Sequence, residues 1–447
     1  MDREPAHHMI ADWRRRDIIG AGVAVAAAVV PTTRALALLD KTGKHGETAM
    51  AENGQTLFGW NELIEGLKPL GGQLEARLPE HLRNDPQVVQ ESYRLLLSGL
   101  MRGISDAIVG DRRHPMFVPE LNICQNIFQP NADTIYKSVM IDGAGSYRIH
   151  GERGGVRMFV LAQLGPDTIR TGQHSPALLQ YDFDALKLDK DGRFDVIVSQ
   201  TKPEGHKGDW WELSPKAEKF MVRIVGCDWG DEREPRFGID RLDVPPSKGR
   251  HSAADLSARL AELPTIAWNC AHMFTDHVDK LVQQGLLNQL KVVDFSNMTG
   301  LSRQSYYEGA YELADDEALV SSVKIPKDVG YWSLILTNEI FETTDWYNNQ
   351  SSLNDTQAHL DHDGVFHAVI SARDPGVPNW LDTAGYAKGA IQGRWFNTDE
   401  RPTPTLIKVK LADVRKSLPS ETPHVSPAER EASIRARRIK AQMRVIW

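Results

Sequence analysis

Two stretches of this sequence share one pattern, DKDGRFDVIVSQTKPEGHKGDWWELSP at residues 189–215 and DHDGVFHAVISARDPGVPNWLDT at residues 361–383. Each begins with Asp-x-Asp-Gly-x-Phe, continues as an alternating strand-like run and reaches a loop with Gly, Pro and tryptophan. An arginine follows each stretch, Arg223 after the first and Arg394 after the second. Because the whole order recurs, it indicates an internal duplication of one β-unit.

The Asp-Gly pairs at 191–192 and 363–364 predict a turn at the start of each copy. Both residue types tolerate positive φ, and Asp-Gly beside alternating segments is typical of a hairpin. The second copy adds His359 and His362, which have no counterpart in the first. The pattern favours a structural turn over calcium or a transition metal, because the spacing matches neither an EF-hand nor HExxH. The weak candidate ligands for calcium are Asp361 and Asp363.

The remaining chain alternates between helical and strand-like segments. Apolar residues recur at helical spacing before residue 136, and short apolar runs separated by Gly, Asp and Pro follow. We expect Pro264 to divide the long helical signal at 252–287 into two helices. The fold class is α+β, with these segments: helical at 57–135, a first β-rich unit at 136–250, a helical insertion at 251–317, a second β-rich unit at 318–419 and a C-terminal amphipathic helix at 420–447.

The first residues carry the pattern of an export signal. Three arginines at 14–16 precede an apolar, Ala- and Gly-rich run at 18–30, and a small-x-small end follows at 35–37. Such a run is too short to span a bilayer stably, and the Arg-Arg pair resembles a bacterial twin-arginine signal. We predict a signal peptide at 1–37, a linker at 38–56 and a periplasmic or extracellular location. The alternative is a basic N-terminal tail.

Composition restricts the partners. The chain has 52 Lys and Arg against 60 Asp and Glu, a net charge of −8, and no long basic run, which argues against nucleic-acid binding. A small-molecule substrate or ligand is the favoured partner, and a homo-oligomer stays open. Cys124, Cys227 and Cys270 lack CxxC spacing, so neither a disulfide framework nor a zinc site is indicated. The markers of serine hydrolases, phosphate loops and dinucleotide folds are also missing, so no cofactor is predicted.

Several blocks resemble a bacterial family known as domain of unknown function 1214. These are YWSLILTNEIF at 331–341, ARDPGVPNWLDTAG at 372–385 and GRW at 393–395. PNADTIY at 130–136 is similar to the Asn-x-Asp-x-x-Tyr block of that family and of its domain-1254 relatives. The resemblance covers about residues 58–419. It implies a β-sandwich or jelly-roll-like body with helical additions, in proteins that are often exported, and it implies no general reaction.

The first candidate functional group lies in the block at 130–136. Asn131, Asp133 and Tyr136 are spaced so that a turn could direct an amide, a carboxylate and a phenol toward one cleft. Asp133 and Tyr136 would then be acid–base groups, and Asn131 would bind substrate. The alternative is an Asx turn that bonds to itself before a strand, with Tyr136 in the core.

A second group lies between residues 345 and 394. Asp345 and His359 are its candidate catalytic residues. Carboxylates, amides and indole rings together suit a hydroxylated ring, because the acids exchange protons while the indoles stack. Alternatively, the same side chains serve as loop caps and as a Trp–Arg packing pair, since the first copy also contains a tryptophan and an arginine, Trp211 and Arg223. The candidate substrate-binding residues here are Trp346, Asn348, Asn354, Asn379, Trp380, Asp382 and Arg394.

Together these features predict an exported enzyme that acts on a hydroxylated or lipid-like small molecule. The substrate would lie between the helical layer and the sandwich, and carboxylate or histidine acid–base chemistry would make the protein a hydrolase or a lyase. The alternative is a non-catalytic sugar-binding, lipid-binding or assembly protein that uses the sandwich as a scaffold.

Overall fold

The structure, a computed structural model, describes residues 56–293 and 303–446. The predicted signal peptide at 1–37 and all but the last residue of the predicted linker at 38–56 lie outside them. The first set of strands is β1 Val118–Pro119, β2 Thr134–Met140, β3 Tyr147–Glu152, β4 Met158–Leu164, β5 Ala177–Asp182, β6 Arg193–Ser199, β7 Asp209–Glu212, β8 Lys219–Val225 and β9 Arg236–Arg241. The second set is β10 Lys291–Val293, β11 Gln304–Glu312, β12 Glu317–Lys324, β13 Tyr331–Leu336, β14 Ser352–Asn354, β15 Val365–Ser371, β16 Trp380–Asp382, β17 Lys388–Phe396 and β18 Thr405–Lys410.

Each set of strands forms a β-sandwich with the same topology. In the first unit a sheet ordered β1-β2-β8-β4-β5 packs on a sheet ordered β7-β6-β3-β9. In the second unit β10-β11-β17-β13-β14 packs on β16-β15-β12-β18. Adding nine to every strand number of the first unit reproduces the second. The predicted duplication and the α+β class are therefore confirmed.

The side-chain pattern of the repeated stretch explains which face of its strand is buried. In β6, Phe194, Val196 and Val198 point into the core, while Arg193 and Asp195 are exposed. β8 is buried along its whole length because it lies in the middle of its sheet and both of its faces are covered. Burial of each large apolar side chain contributes about 2 kcal/mol, so the alternation determines the register of the strand.

The Asp-Gly turns are present in both units. Gly192 has φ +74° and Gly364 has φ +71°, and each amide donates to the carbonyl three residues earlier at 3.0 Å. The turn prediction is confirmed, but the hairpin prediction is wrong, because the strands on either side of each turn belong to different sheets. Asp-Gly specifies a local reversal of the chain; long-range pairing decides which strand becomes the neighbour.

Helices form a layer that contacts both sandwiches. Ile169 of the first unit and Ile340 of the second both belong to the apolar cluster of the helices. No helix of the described residues is long and apolar enough to cross a membrane. The helices are α1 Trp60–Leu67, α2 Leu70–Arg77, α3 Glu80–Arg83, α4 Pro86–Gly103, α5 Thr168–Thr171, α6 Ala253–His272, α7 His277–Gln283 and α8 Pro427–Met443, with a π-helix at Ile104–Val109 and 3-10 helices at Phe183–Ala185 and Leu411–Ser417.

Two expectations about the helical segments are wrong. Pro264 does not divide the helix; it lies inside α6, where its ring packs so closely on Gly66 that an added Cβ there would lie 2.9 Å from the proline Cγ. This packing offsets the lost backbone hydrogen bond. The predicted helical insertion at 251–317 also contains strands β10 and β11. β11 carries polar side chains at buried positions, so it lacks the alternation that marks a strand.

Candidate functional site

Asp133 lies just before β2 and is enclosed between the two β-units, with 1% of its surface exposed. Its Oδ1 accepts hydrogen bonds from Trp229 Nε1 at 3.0 Å and Asn354 Nδ2 at 2.7 Å, and its Oδ2 accepts one from the Tyr331 hydroxyl at 2.7 Å. Burial raises the pKa of Asp133. Asn131 donates to the Tyr331 hydroxyl at 2.9 Å. The structure thus brings Asn131, Asp133 and Asn354 together, as a fully bonded junction between the units.

The tyrosine and arginine of the repeat occupy equivalent places. Tyr136 pairs in register with Arg223, and Tyr306 pairs in register with Arg394. The Arg394 guanidinium is buried, donates to Ser333 Oγ at 3.2 Å and lies 5.5 Å from the centre of the Tyr306 ring. Arg394 therefore packs within the second β-unit.

The polar groups of the HLDHDG stretch bond to one another. Asn379 donates to the His359 carbonyl at 2.6 Å and accepts from the His359 amide at 2.8 Å. Asp361 is buried between His359 Nε2 at 3.2 Å and Thr422 Oγ1 at 3.0 Å. Asp363 is exposed and caps the start of β15 by accepting from the Val365 amide. Within residues 56–293 and 303–446, no three His, Cys, Asp or Glu side chains converge as a metal site would require.

Trp380 lies beside this stretch and is buried. Its Nε1 donates to the Ser371 carbonyl at 3.0 Å, and the Arg430 guanidinium of α8 lies 5.2 Å from its ring centre. The cation that packs on this indole is therefore Arg430 and not Arg394. The predicted binding residues around Trp380 thus serve packing within the second unit.

A cleft of about 530 Å³ lies between α4 and the second β-unit, and we call it the α4 cleft. One predicted catalytic residue, Asp345, lines it. α4 provides one wall, and three loops provide the others: those between β1 and β2, between β13 and β14, and between β16 and β17. The residues that line the cleft are Arg94, Leu97, Ser98, Met101, Ile123, Cys124, Asn126, Thr343, Thr344, Asp345, Asn349, Ala384 and Tyr386.

Asp345 shapes its loop by local hydrogen bonds. Its Oδ1 accepts from the Tyr347 and Asn348 amides at 3.0 and 3.1 Å, and its Oδ2 accepts from Asn348 Nδ2 at 2.5 Å. Asn348 is exposed and accepts from Arg438 Nε at 2.6 Å. Trp346 points away from the cleft into an apolar cluster with Trp229. The loop is therefore a capped turn that holds one wall in place.

The Arg94–Glu342 pair lies at the edge of the cleft. Arg94 Nη2 is 2.6 Å from Glu342 Oε2; the arginine side chain is 54% exposed and the glutamate 2% exposed. Burial raises the pKa of Glu342, although hydrogen bonds from Arg94 and Asn338 oppose the rise. The cleft therefore presents an accessible cation whose position is fixed by a buried carboxylate.

A carboxyl–phenol pair, Glu91 and Tyr386, lies beside the Arg94–Glu342 pair. The Tyr386 hydroxyl donates to Glu91 Oε1 at 3.0 Å, and burial together with Glu91 raises the pKa of Tyr386 to about 12. Burial raises the pKa of Glu339 to about 7, with a further contribution from Glu91. Asp382, behind the same wall, accepts from the Ala384 amide at 2.8 Å and has a pKa that burial raises to about 6. Such perturbed acids beside a cleft are typical of functional sites.

Backbone strain marks the same wall. Phe341 has φ +66° and Ala384 has φ +55°, a conformation that non-glycine residues seldom adopt and that costs about 1 kcal/mol or more. Arg94, Glu91, Glu342 and Tyr386 were not among the residues predicted from the sequence. The signal in the sequence was the block at 331–341, in which Glu339 lies three residues after the end of β13.

Comparison with known proteins agrees with the duplicated fold. Residues 130–227 and 313–400 match the model of the family described as Protein of unknown function (DUF1214), one segment in each β-unit. The chain is similar to an uncharacterised protein from Burkholderia cenocepacia, with a TM-score of 0.72 and 25% identity over 79% of this chain and 97% of that one. The VPA0106 protein from Vibrio parahaemolyticus gives a TM-score of 0.40 and 13% identity over 71% of this chain and 100% of that one. No curated protein matches significantly.

Proposed function

We propose that this protein binds a small molecule with hydroxyl groups and an apolar part in the α4 cleft and acts on it as a hydrolase or a lyase. The observation that carries the proposal is the placement of the Tyr386–Glu91 and Arg94–Glu342 pairs side by side at this cleft. The proposal keeps acid–base chemistry by carboxyl and phenol groups, but none of the residues predicted from the sequence to be catalytic carries it.

The lining of the cleft supports a ligand with both polar and apolar parts. Leu97 is 64% exposed and lies beside Met101 on one wall, so an apolar group bound there would cover surface that now contacts water. Arg94 and Asn126 provide donors for oxygen atoms of the ligand, and Tyr386 provides a third when its hydroxyl turns away from Glu91. A volume of about 530 Å³ is in the range of small-molecule sites.

The acid–base roles follow from the protonation states. Tyr386 keeps its proton up to a pH of about 12. In the free protein the hydroxyl donates this proton to Glu91; when substrate binds, the hydroxyl would turn to donate to a substrate oxygen and pass the proton to a leaving alkoxide. Arg94 lies close enough to lower the pKa of Tyr386 and would stabilise the phenolate that forms. Before substrate binds, Glu91 orients the hydroxyl by accepting its hydrogen bond.

The first test is a turnover screen of esters, glycosides and hydroxy acids with the wild type and Tyr386→Phe. Removing a general acid typically costs about 100-fold or more in kcat/KM. Tyr93→Phe is a matched control, because the Tyr93 hydroxyl also donates to a glutamate, Glu75, at 2.9 Å but lies outside the cleft. We expect Tyr386→Phe alone to lose activity.

Two results would contradict this assignment. Equal turnover by Tyr386→Phe and the wild type would remove the acid role of the phenol. Saturable binding in the α4 cleft without turnover of any substrate would favour the alternative, a sugar-binding or lipid-binding protein. Native mass spectrometry of protein purified from its own cells identifies a retained ligand and gives the number of subunits.

Export is a separate part of the proposal and rests on the signal pattern at residues 1–37. If a signal peptidase removes it, the secreted protein begins near Leu38. Denaturing mass spectrometry of protein from the periplasm or the culture fluid measures that start. Intact chains confined to the cytoplasm would contradict export and would leave the proposed chemistry of the α4 cleft unaffected.

A further inference from the structure

A second cleft lies on the first β-unit, away from the groups assigned above. It has a volume of about 670 Å³ and is bounded by the π-helix at Ile104–Val109, the loop at 110–114, the loop at 245–252 and the first turns of α6. We call it the basic cleft. π-Helical turns are rare and are frequently found at functional sites. None of the residues predicted from the sequence lines it.

The charge of the basic cleft is opposite to that of the chain. Six arginine and lysine side chains line it against four carboxylates, a local excess of two positive charges, whereas the whole chain carries −8. The basic residues are Arg112, Arg113, Arg170, Lys248, Arg250 and Arg259. A concave surface of one sign concentrates ligands of the other sign.

The carboxylates of the cleft are already neutralised. Asp111 accepts from Lys248 at 3.0 Å, and Asp255 accepts from Arg259 Nε at 2.9 Å and also pairs with His251. Burial alone would raise the pKa of Asp111, but the hydrogen bonds from Lys248 and from backbone amides lower it to about 2. These acids therefore hold the basic side chains in place and leave little negative charge to repel an anion.

The floor of the cleft is a buried ion network. Arg170 pairs with Asp106, with Asp167 at 2.9 Å and with Glu262 at 2.7 Å. Asp106 also accepts from the fully buried Arg102 at 3.1 Å. Because three carboxylates hold Arg170, its guanidinium is fixed at the floor of the cleft and is not left for a ligand.

Two arginines are left for a ligand. Arg113 and Arg250 are exposed, and within the part of the chain that the structure describes neither makes a side-chain hydrogen bond or an ion pair. They lie on the two loops that face each other across the cleft. His114 Nε2 donates to the Pro245 carbonyl at 3.1 Å and so connects these loops, while its buried Nδ1 has no partner among the described residues.

We propose that the basic cleft binds a small molecule through a phosphate or carboxylate group held by Arg113 and Arg250. A guanidinium forms paired, charge-assisted hydrogen bonds with either group, which a lysine cannot do. Arg250 also lies two residues before Ser252, whose side chain caps the start of the 20-residue helix α6. The partial positive charge of that helix end therefore adds to the attraction. This site is independent of the α4 cleft and of the reaction proposed there.

The test is isothermal titration calorimetry of the full protein with inorganic phosphate and with citrate at low ionic strength. We expect saturable binding of at least one anion to the wild type. In the Arg113→Ala/Arg250→Ala double variant the affinity should fall by about tenfold or more, because charge-assisted hydrogen bonds are lost. Arg401→Ala is the matched control, since Arg401 is exposed, makes no ion pair among the described residues and lies outside the cleft. Phosphate without citrate binding identifies a phosphoryl ligand, and the reverse identifies a carboxylate.

The proposal is overturned if neither anion saturates the wild type, or if the double variant binds with unchanged affinity while its circular dichroism spectrum shows it folded. An equal loss in Arg401→Ala would show that net charge alone attracts the anion, and this also overturns the assignment. Activity at the α4 cleft serves as an independent readout, and we expect the double variant to keep it.

Discussion

The Asp133 carboxylate of the first β-unit accepts a hydrogen bond of 2.7 Å from the Tyr331 hydroxyl of the second, 198 residues away. Trp229 and Asn354 donate to the same carboxylate, and Arg444 at the end of α8 donates to the Asp133 carbonyl at 3.0 Å. Both β-units and the C-terminal helix therefore meet at one buried residue. The carboxylate has three donors and the residue is only 1% exposed, which makes it a structural junction.

We expect Asp133→Ala to lower the free energy of unfolding by about 3 kcal/mol or more, because three buried donors lose their acceptor. Urea unfolding followed by tryptophan fluorescence measures the change. Asp345→Ala is the control; it removes only a turn cap at a partly exposed position and should cost about 1 kcal/mol. If Asp133→Ala kept wild-type stability but lost all turnover, the catalytic role predicted from the sequence would be restored.

Helix α8 is attached through Arg437. Its guanidinium carbon lies 4.4 Å from the centre of the Trp229 ring, and its nitrogens donate at 2.7 Å to the Trp346 carbonyl and to Ser352 Oγ. The helix thereby contacts both β-units. Burial lowers the pKa of Arg437 to about 10, so it stays charged at neutral pH.

We expect Arg437→Ala to cost about 2 kcal/mol, because a cation–π contact and two partly buried hydrogen bonds are lost. Arg435→Ala, on the same helix, is the matched control. Its side chain is 70% exposed and, among the described residues, pairs only with Glu431, so its removal should change stability by less than about 0.5 kcal/mol. Differential scanning calorimetry of both variants makes the comparison; equal melting temperatures would contradict an anchoring role for Arg437.

Glu339 gives the stability a pH dependence with a defined sign. Its folded pKa of about 7 lies above the ordinary value of 4.5, so the native state binds the proton more tightly than the unfolded state. The contribution of protonated Glu339 to the free energy of unfolding is fully present below pH 4.5 and is lost as the pH rises to about 7. We expect a loss of roughly 2 kcal/mol across that range, which Glu339→Gln should remove. Urea unfolding of both proteins at pH 5 and pH 8 tests this, and an equal drop in the variant would contradict it.

Features that depend on residues close together in the sequence could be predicted, and contacts between residues far apart in the sequence could not. Gly364 and its turn follow from two adjacent residues, and the duplication follows from one repeated pattern, so both could be predicted. The partners of Asp133 could not, because Tyr331 reaches it only through the packing of two sandwiches. The same holds for Glu91 and Tyr386, which are 295 residues apart and meet where α4 packs on the second unit.

A close contact between two helices of the helical layer depends on Gly99 of α4. A Cβ at this position would lie 2.8 Å from the Ala267 carbonyl oxygen and 2.8 Å from Cys270 Cβ, both on α6. Because backbone cannot move away as a flexible side chain can, the two helices would have to separate. Such overpacking costs about 1–3 kcal/mol, more than the 1 kcal/mol or so that alanine gains over glycine in a helix.

We therefore expect Gly99→Ala to lower the free energy of unfolding by about 1–2 kcal/mol. Gly72→Ala is the matched control in helix α2, where no described atom beyond the adjacent residues and the backbone of its own helix lies within 4 Å of the added Cβ, and it should raise stability by up to about 1 kcal/mol. Urea unfolding of the two variants therefore gives changes of opposite sign. A stabilising effect at both positions would mean that α4 and α6 lie farther apart in solution than this packing requires. The wall of the α4 cleft would then be less rigid, since Arg94 and Leu97 lie on the same helix.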